Sequence, residues 1–170
     1  CGNAVYQGGQ LIQKNHFDLS PELKTLLNEF IMYSECPEQF DNHIEERIGL
    51  VNFSPIGRSC PQEAREQYYK WDTKVKERQT FCRMIEDKFP DLEATVGGQI
   101  SIDIYPIGQN KAQVLEDLYG PITFFGDKCQ PGGNDYPIVE SMCRQLEQNK
   151  RHCVLHEVEN YHDTWNILKR

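Results

Sequence analysis

The chain lacks a long apolar run, a C-x-x-C pair, an excess of positive charge and any Asp-x-Asp, and each absence excludes something. No stretch approaches the ~20 apolar residues of a membrane span and none reads as a signal peptide, so no membrane partner is expected. Lys and Arg number 18 against 26 Asp and Glu, a net charge of −8 that argues against nucleic acid or an anionic bilayer as main partner. Seven cysteines (Cys1, Cys36, Cys60, Cys82, Cys129, Cys143 and Cys153) make an odd number without close pairing. That disfavours a disulfide scaffold or zinc site and fits free thiols in a reducing, cytoplasmic compartment. Asn52-Phe53-Ser54 matches a glycosylation sequon, but Pro55 follows and the compartment is wrong. A chain starting at Cys1 reads as an excerpt or a processed product.

The 170 residues suit one domain or two small ones. Residues 4–16 read as two strands around Gln7-Gly8-Gly9-Gln10. Ser20-Pro21-Glu22 opens a helix, with Ser as N-cap, Pro at the first helical position and Leu23, Leu26, Leu27, Phe30 and Ile31 on one stripe. Residues 44–47 and 50–53 pair as strands turning near Ile48-Gly49. Residues 61–70 and 75–88 are helical, the second with Phe81, Met84, Ile85 and Phe89 on one face. Ile100, Ile102 and Ile104 alternate with Ser101, Asp103 and Tyr105, a half-buried strand with a polar face. After Pro106 the pattern changes to a short helix at 111–118, an apolar strand at 122–125, a helix at 138–146, a strand at 153–155 and a helix at 163–168. Such alternation predicts a parallel α/β layer covered on both faces.

Phe124-Phe125-Gly126-Asp127-Lys128-Cys129-Gln130-Pro131-Gly132-Gly133-Asn134-Asp135 is the most informative stretch. A buried strand that ends in a carboxylate and a glycine-rich loop suits a phosphoryl-transfer site, where glycines let backbone approach an ion or phosphate. Asp127 reads as a cation ligand or a strand-end turn residue, and Asn134 and Asp135 as its supporting loop or a helix cap. Arg47, Arg58 and Arg65 fall within one segment; convergent guanidinium forks would bind a dianion, and the alternative is three solvated charges paired with nearby glutamates. Ser101 and Asp103 share a strand face and could hold two sugar hydroxyls, or form the solvent face of an edge strand. His152 and His156 have metal-pair spacing only on a helix; in a strand they stand ~13 Å apart.

Ile44-Glu45-Glu46-Arg47, the run from Asn52 to Cys60, Gln62-Glu63-Ala64-Arg65, Gly97-Gly98-Gln99-Ile100-Ser101-Ile102-Asp103 and the Phe124–Asp135 loop together closely resemble eukaryotic-type phosphomannomutase, of the haloacid dehalogenase superfamily. The resemblance implies interconversion of mannose 6-phosphate and mannose 1-phosphate for GDP-mannose synthesis, with Mg²⁺ and a hexose 1,6-bisphosphate activator. It implies an α/β fold, a haloacid dehalogenase-like (Rossmann-like) core fragment at residues 107–170, with an α+β antiparallel-sheet cap at residues 1–106 through which the family dimerises. By the same resemblance Arg47, Arg58 and Arg65 clamp the distal phosphate, Ser101 and Asp103 line the sugar pocket, Asp127 binds Mg²⁺, and Asn134 and Asp135 support it. Gly2-Asn3 looks like the point where the family's chain leaves the core for the cap.

Departures from the pattern set the alternatives. The family's Asp-x-Asp, which supplies nucleophile and acid/base, does not occur in these 170 residues, so no catalytic residue is assigned and the chain alone is expected to be inactive. The stretch after Asp135 is short, and Lys111 matches a lysine near the core phosphate site with different flanks. A sugar-phosphate phosphatase of the same superfamily, or a truncated or degenerate non-catalytic paralogue that binds sugar phosphate or dimerises, are the other readings.

Overall fold

The structure, a computed structural model, describes residues 3–169; Cys1, Arg170 and the Gly2 half of the Gly2-Asn3 junction lie outside it. The chain divides into two compact units, Asn3–Gln109 and the residues from Asn110 onward.

The first unit begins with an antiparallel hairpin, β1 (Ala4–Gln7) and β2 (Gln10–Lys14), and continues with α1 (Pro21–Tyr33). As the sequence predicts, the Ser20 hydroxyl accepts from the Leu23 amide at 3.1 Å and Pro21 opens the helix. Four strands then form an antiparallel sheet in the order β3 (Ile44–Arg47), β4 (Leu50–Phe53), β6 (Ser101–Pro106), β5 (Leu92–Gly97). Two helices lie between β4 and β5 in sequence, α2 (Gln62–Val75) and α3 (Glu77–Lys88).

The register sorts the sheet's two faces. Val51 opposes Ile104 and Phe53 opposes Ile102, while Ala94 and Val96 face the same two isoleucines from the other side. These residues bury against Leu23, Leu26, Leu27 and Phe30 of α1 and Phe81, Cys82 and Ile85 of α3. The Phe30 and Phe81 rings stack at 4.2 Å, with Phe53 tilted 6.3 Å from Phe30. Met84 is exposed, contrary to the expected stripe, because Cys82 takes the packing position and Met84 falls round the helix from it.

The other face was expected to be half-buried, or the solvent face of an edge strand. Instead β6 is central, and Ser101 and Tyr105 on its polar face are both buried. A second apolar cluster, of Ile56, Cys60, Ala64, Tyr68 and Ile100, joins α2 to the loop after β4.

The second unit holds a 3-10 helix (Lys111–Glu116, shorter than the expected 111–118), β7 (Ile122–Gly126), α4 (Tyr136–Glu147), β8 (Cys153–Glu157) and α5 (Tyr161–Leu168). β7 and β8 pair in parallel. Leu115, Ile138 and Met142 cover Ile122, Phe124 and Cys153. The expectation of a parallel layer covered on both faces is corrected: among the described residues only Gly126 of β7 is buried, and α5 buries no side chain.

Gly57 holds the loop that delivers Arg58. Its φ is +88°, and a Cβ there would fall 2.2 Å from the Phe40 carbonyl oxygen. The Phe40 amide in turn donates to the Ile56 carbonyl at 2.8 Å, so the obstacle is fixed backbone. Gly57→Ala is therefore expected to destabilise the first unit by at least about 1–3 kcal/mol, read as a lower urea midpoint.

Candidate sugar-phosphate and cation sites

Strand register builds the first site. Glu45 opposes Asn52, Asn52 opposes Asp103, and Asp103 opposes Thr95, a single polar row across all four strands. Side-chain alternation puts Arg47 on the same face as Glu45, and Ser101 on the same face as Asp103. Adjacent members are bonded: the Asn52 amide donates to Asp103 Oδ1 at 2.6 Å.

Arg58 enters over this row from the Gly57 loop. Its Nη1 donates to Asn52 Oδ1 at 2.8 Å and to the Ser101 hydroxyl at 3.2 Å, and its Nε lies 2.9 Å from Glu45 Oε2. Arg47 Nη2 donates to that same Glu45 oxygen. One carboxylate oxygen thus sits between two guanidinium groups, the pairing with a nearby glutamate that the alternative reading of Arg47 and Arg58 expects. The Arg47 hydrogen bond, opposed by burial and helped by the charges of Arg47 and Arg58, holds the Glu45 carboxyl below its ordinary value. Arg65 stands beside the pair rather than in it, its Nη2 donating to the Arg58 carbonyl at 3.4 Å. Lys14, His16 and Arg47 also border an open cleft of about 410 Å³.

All five residues proposed from sequence for sugar-phosphate contact therefore lie on or beside one face. Sequence reasoning missed Glu45 and Asn52. Glu45 was legible as the residue two before Arg47 on one strand, and Asn52 as the polar interruption of Leu50–Phe53. Asn52 is 3% exposed and bonded on both sides, so the sequon there is closed.

The second unit carries the other residues. Gly126 ends β7 without a side chain because a Cβ would lie 2.7 Å from Cys129 Sγ and 3.1 Å from Asp135 Oδ2. Asp135 is buried; its Oδ1 meets Lys111 Nζ at 2.6 Å, and its Oδ2 accepts from the Asp127 and Lys128 amides at 3.3 Å. Burial alone would push this carboxyl up, but the Lys111 ammonium and the two amides hold it below the usual range. It stands at the N-cap position of α4 without capping it, and acts as the clamp of the Asp127–Asp135 loop.

Asp127 is exposed at the strand end, and Asn134 Oδ1 is a buried acceptor without a partner among the described residues. Mg²⁺ seeks about six oxygen ligands in near-octahedral array. Among the described residues no three His, Cys, Asp or Glu gather to hold a metal, and Asp135 is committed to Lys111. Asp127 and the Asn134 carbonyl fall short of a Mg²⁺ site by themselves. His156 lies within β8, and His152 directly precedes it.

A family model for eukaryotic phosphomannomutase matches residues 2–170. Phosphomannomutase of Dendrobium officinale is 39% identical over 150 residues, covering 82% of this chain and 60% of that protein. Probable phosphomannomutase of Caenorhabditis elegans is 39% identical over 172 residues, 94% of this chain and 63% of that protein. Phosphomannomutase of Nicotiana benthamiana is 42% identical over 150 residues, 82% and 60%. The chain spans about three fifths of the length of these curated relatives. A solved structure, the N-terminal truncated Plasmodium falciparum IMP-nucleotidase, overlaps 91% of this chain and 40% of that one at 18% identity and a TM-score of 0.43, too low to carry the fold.

The Lys111–Asp135 pair has a signed pH dependence. A carboxyl whose folded pKa is depressed contributes stability above its ordinary value near pH 3.9 and loses it as pH falls through the lower folded value. Asp135→Asn is expected to cost about 1–3 kcal/mol at pH 7. Urea melts should give a constant difference from pH 7 to 5 that shrinks below about pH 4.

Proposed function

The chain belongs to the eukaryotic phosphomannomutase family, and from that membership we propose that it serves the interconversion of mannose 6-phosphate and mannose 1-phosphate for GDP-mannose synthesis. In this reading the fold is haloacid dehalogenase-like, residues 1–106 are the cap and residues 107–170 part of the Rossmann-like core. The whole protein works in the cytoplasm as a homodimer joined through the cap, with Mg²⁺ and a hexose 1,6-bisphosphate activator.

One observation carries the proposal: Arg47 and Arg58 converge on a single carboxylate oxygen beside Asn52, Ser101 and Asp103. Two always-charged, planar donors around one oxygen suit a phosphate dianion, which offers more oxygens and more charge than the Glu45 carboxylate it would displace. Ser101 and Asp103, held by Arg58 and Asn52, supply an acceptor-rich edge for sugar hydroxyls. Arg65 braces the backbone of Arg58 and adds positive potential.

These residues bind and orient; none is assigned a bond-making role. Mg²⁺, when bound to the whole protein, would offset charge on the phosphoryl group in transfer, and Asp127 is the carboxylate here suited to hold it. A phosphoaspartyl step needs the Asp-x-Asp that these 170 residues do not form, so by themselves they are proposed to bind sugar phosphate without turning it over.

Isothermal titration with mannose 1-phosphate tests the clamp. Removal of a charge-assisted phosphate contact is worth about 1.5–3 kcal/mol, so Arg58→Ala should weaken binding roughly 10- to 150-fold. Unchanged affinity in both Arg58→Ala and Arg47→Ala would overturn the proposal.

A further inference from the structure

Arg78 is the largest fully buried side chain among the described residues, 2% exposed. It lies in the first turn of α3, where Lys76, at φ +64°, breaks the chain from α2 and brings Asp72 back towards it. Asp72, 5% exposed, takes the Arg78 amide on Oδ1 at 3.0 Å and its Nε on Oδ2 at 2.8 Å. Tyr68 completes the surroundings, its ring 5.8 Å from the guanidinium carbon and its hydroxyl donating to Glu77 at 3.1 Å.

The other end of the guanidinium holds backbone. Nη1 donates to the carbonyls of Gly97, Gly98 and Ser101 at 3.3, 3.3 and 3.2 Å. Those carbonyls flank the turn between β5 and β6, whose first residues are glycines and whose Gly98 has φ +51°. Glycines carry no side chain to lock a turn, so its position depends on what grips its backbone. The turn feeds directly into Ser101, and Gly97 lies so close to Asp103 that a Cβ would come within 2.8 Å of its carboxylate.

A buried ion pair is a poor device for stability, because desolvation offsets most of its attraction and an apolar pair of similar volume often does as well. A fork that joins one carboxylate to three carbonyls is a good device for position. We propose that Arg78 is a positioning residue for the sugar-phosphate site, fixing through the Gly97–Ser101 turn the places of Ser101 and Asp103 against Arg58. The inference rests on the reading of Ser101 and Asp103 as ligand contacts. Arg78 touches no ligand and acts through the backbone.

Two variants separate position from stability. Arg78→Lys keeps the charge but cannot reach Asp72 and three carbonyls at once. The double variant D72L/R78M removes the pair without leaving a lone buried charge, and any global loss from the carbonyls it leaves unpaired is read from exchange in α1. In both, amide hydrogen exchange at residues 98–101 should quicken at least tenfold while that of α1 is unchanged. Mannose 1-phosphate should bind at least fivefold more weakly, and in a Ser101→Ala background Arg78→Lys should add less than twofold. Native exchange rates at 98–101 in both variants overturn the positioning role, whatever the ligand does. A loss that adds in full to Ser101→Ala also overturns it. Failure of the native protein to bind mannose 1-phosphate at all would instead overturn the ligand reading on which this role depends.

Discussion

One guanidinium organises the first unit. Arg58 is bonded at once to Glu45 of β3, Asn52 of β4 and Ser101 of β6, three neighbouring strands of one sheet. A polar row across the middle of a sheet is costly unless every member is satisfied, and Arg58 with Asn52 satisfies it. The rest follows from that need. Gly57 must be glycine so the loop can pass the Phe40 carbonyl and deliver Arg58, and the stacked Phe30–Phe81 pair on the opposite face is part of the burial that packs the sheet against α1 and α3. Ordinary hydrophobic packing on one face thus frees the other for charge.

The second unit applies the same economy with one carboxylate. Asp135 reaches back across its own loop to two amides and to Lys111, so the loop after β7 is closed by side-chain bonds. Asp127 is left exposed at the strand end. An engaged acid and an exposed one thus stand eight residues apart.

Much of this was legible in the sequence where the cause is local. Ser20-Pro21 sets a helix start through two backbone rules, and Ile48-Gly49 sets a hairpin turn between two strands; both lie where the residues demand. Arg58 was singled out in a Pro/Gly-shaped loop, and Arg47 and Arg65 by their charge in the same segment. What was not legible has non-local causes. The face carrying Ser101 and Tyr105 was expected to be half-buried because alternation reports two faces without saying what covers each. Arg78 was missed because its partner, Asp72, comes into reach only through a left-handed residue at Lys76, which carries no glycine or asparagine to announce it. Met84 was misplaced by a helix phase that Cys82 reset, and the layer around β7 was expected to be covered on both faces because an apolar strand does not reveal how much of it neighbours cover.

The central claim is that the Glu45 carboxylate marks the seat of a phosphate between Arg47 and Arg58. The most direct measurement is the ¹⁵N chemical shift of arginine Nε groups as mannose 1-phosphate is added. The account predicts that the Arg47 and Arg58 signals move together and saturably, with that of exposed Arg83 unmoved. Arg47 and Arg58 signals that stay still, or that drift only as Arg83 does, would contradict it.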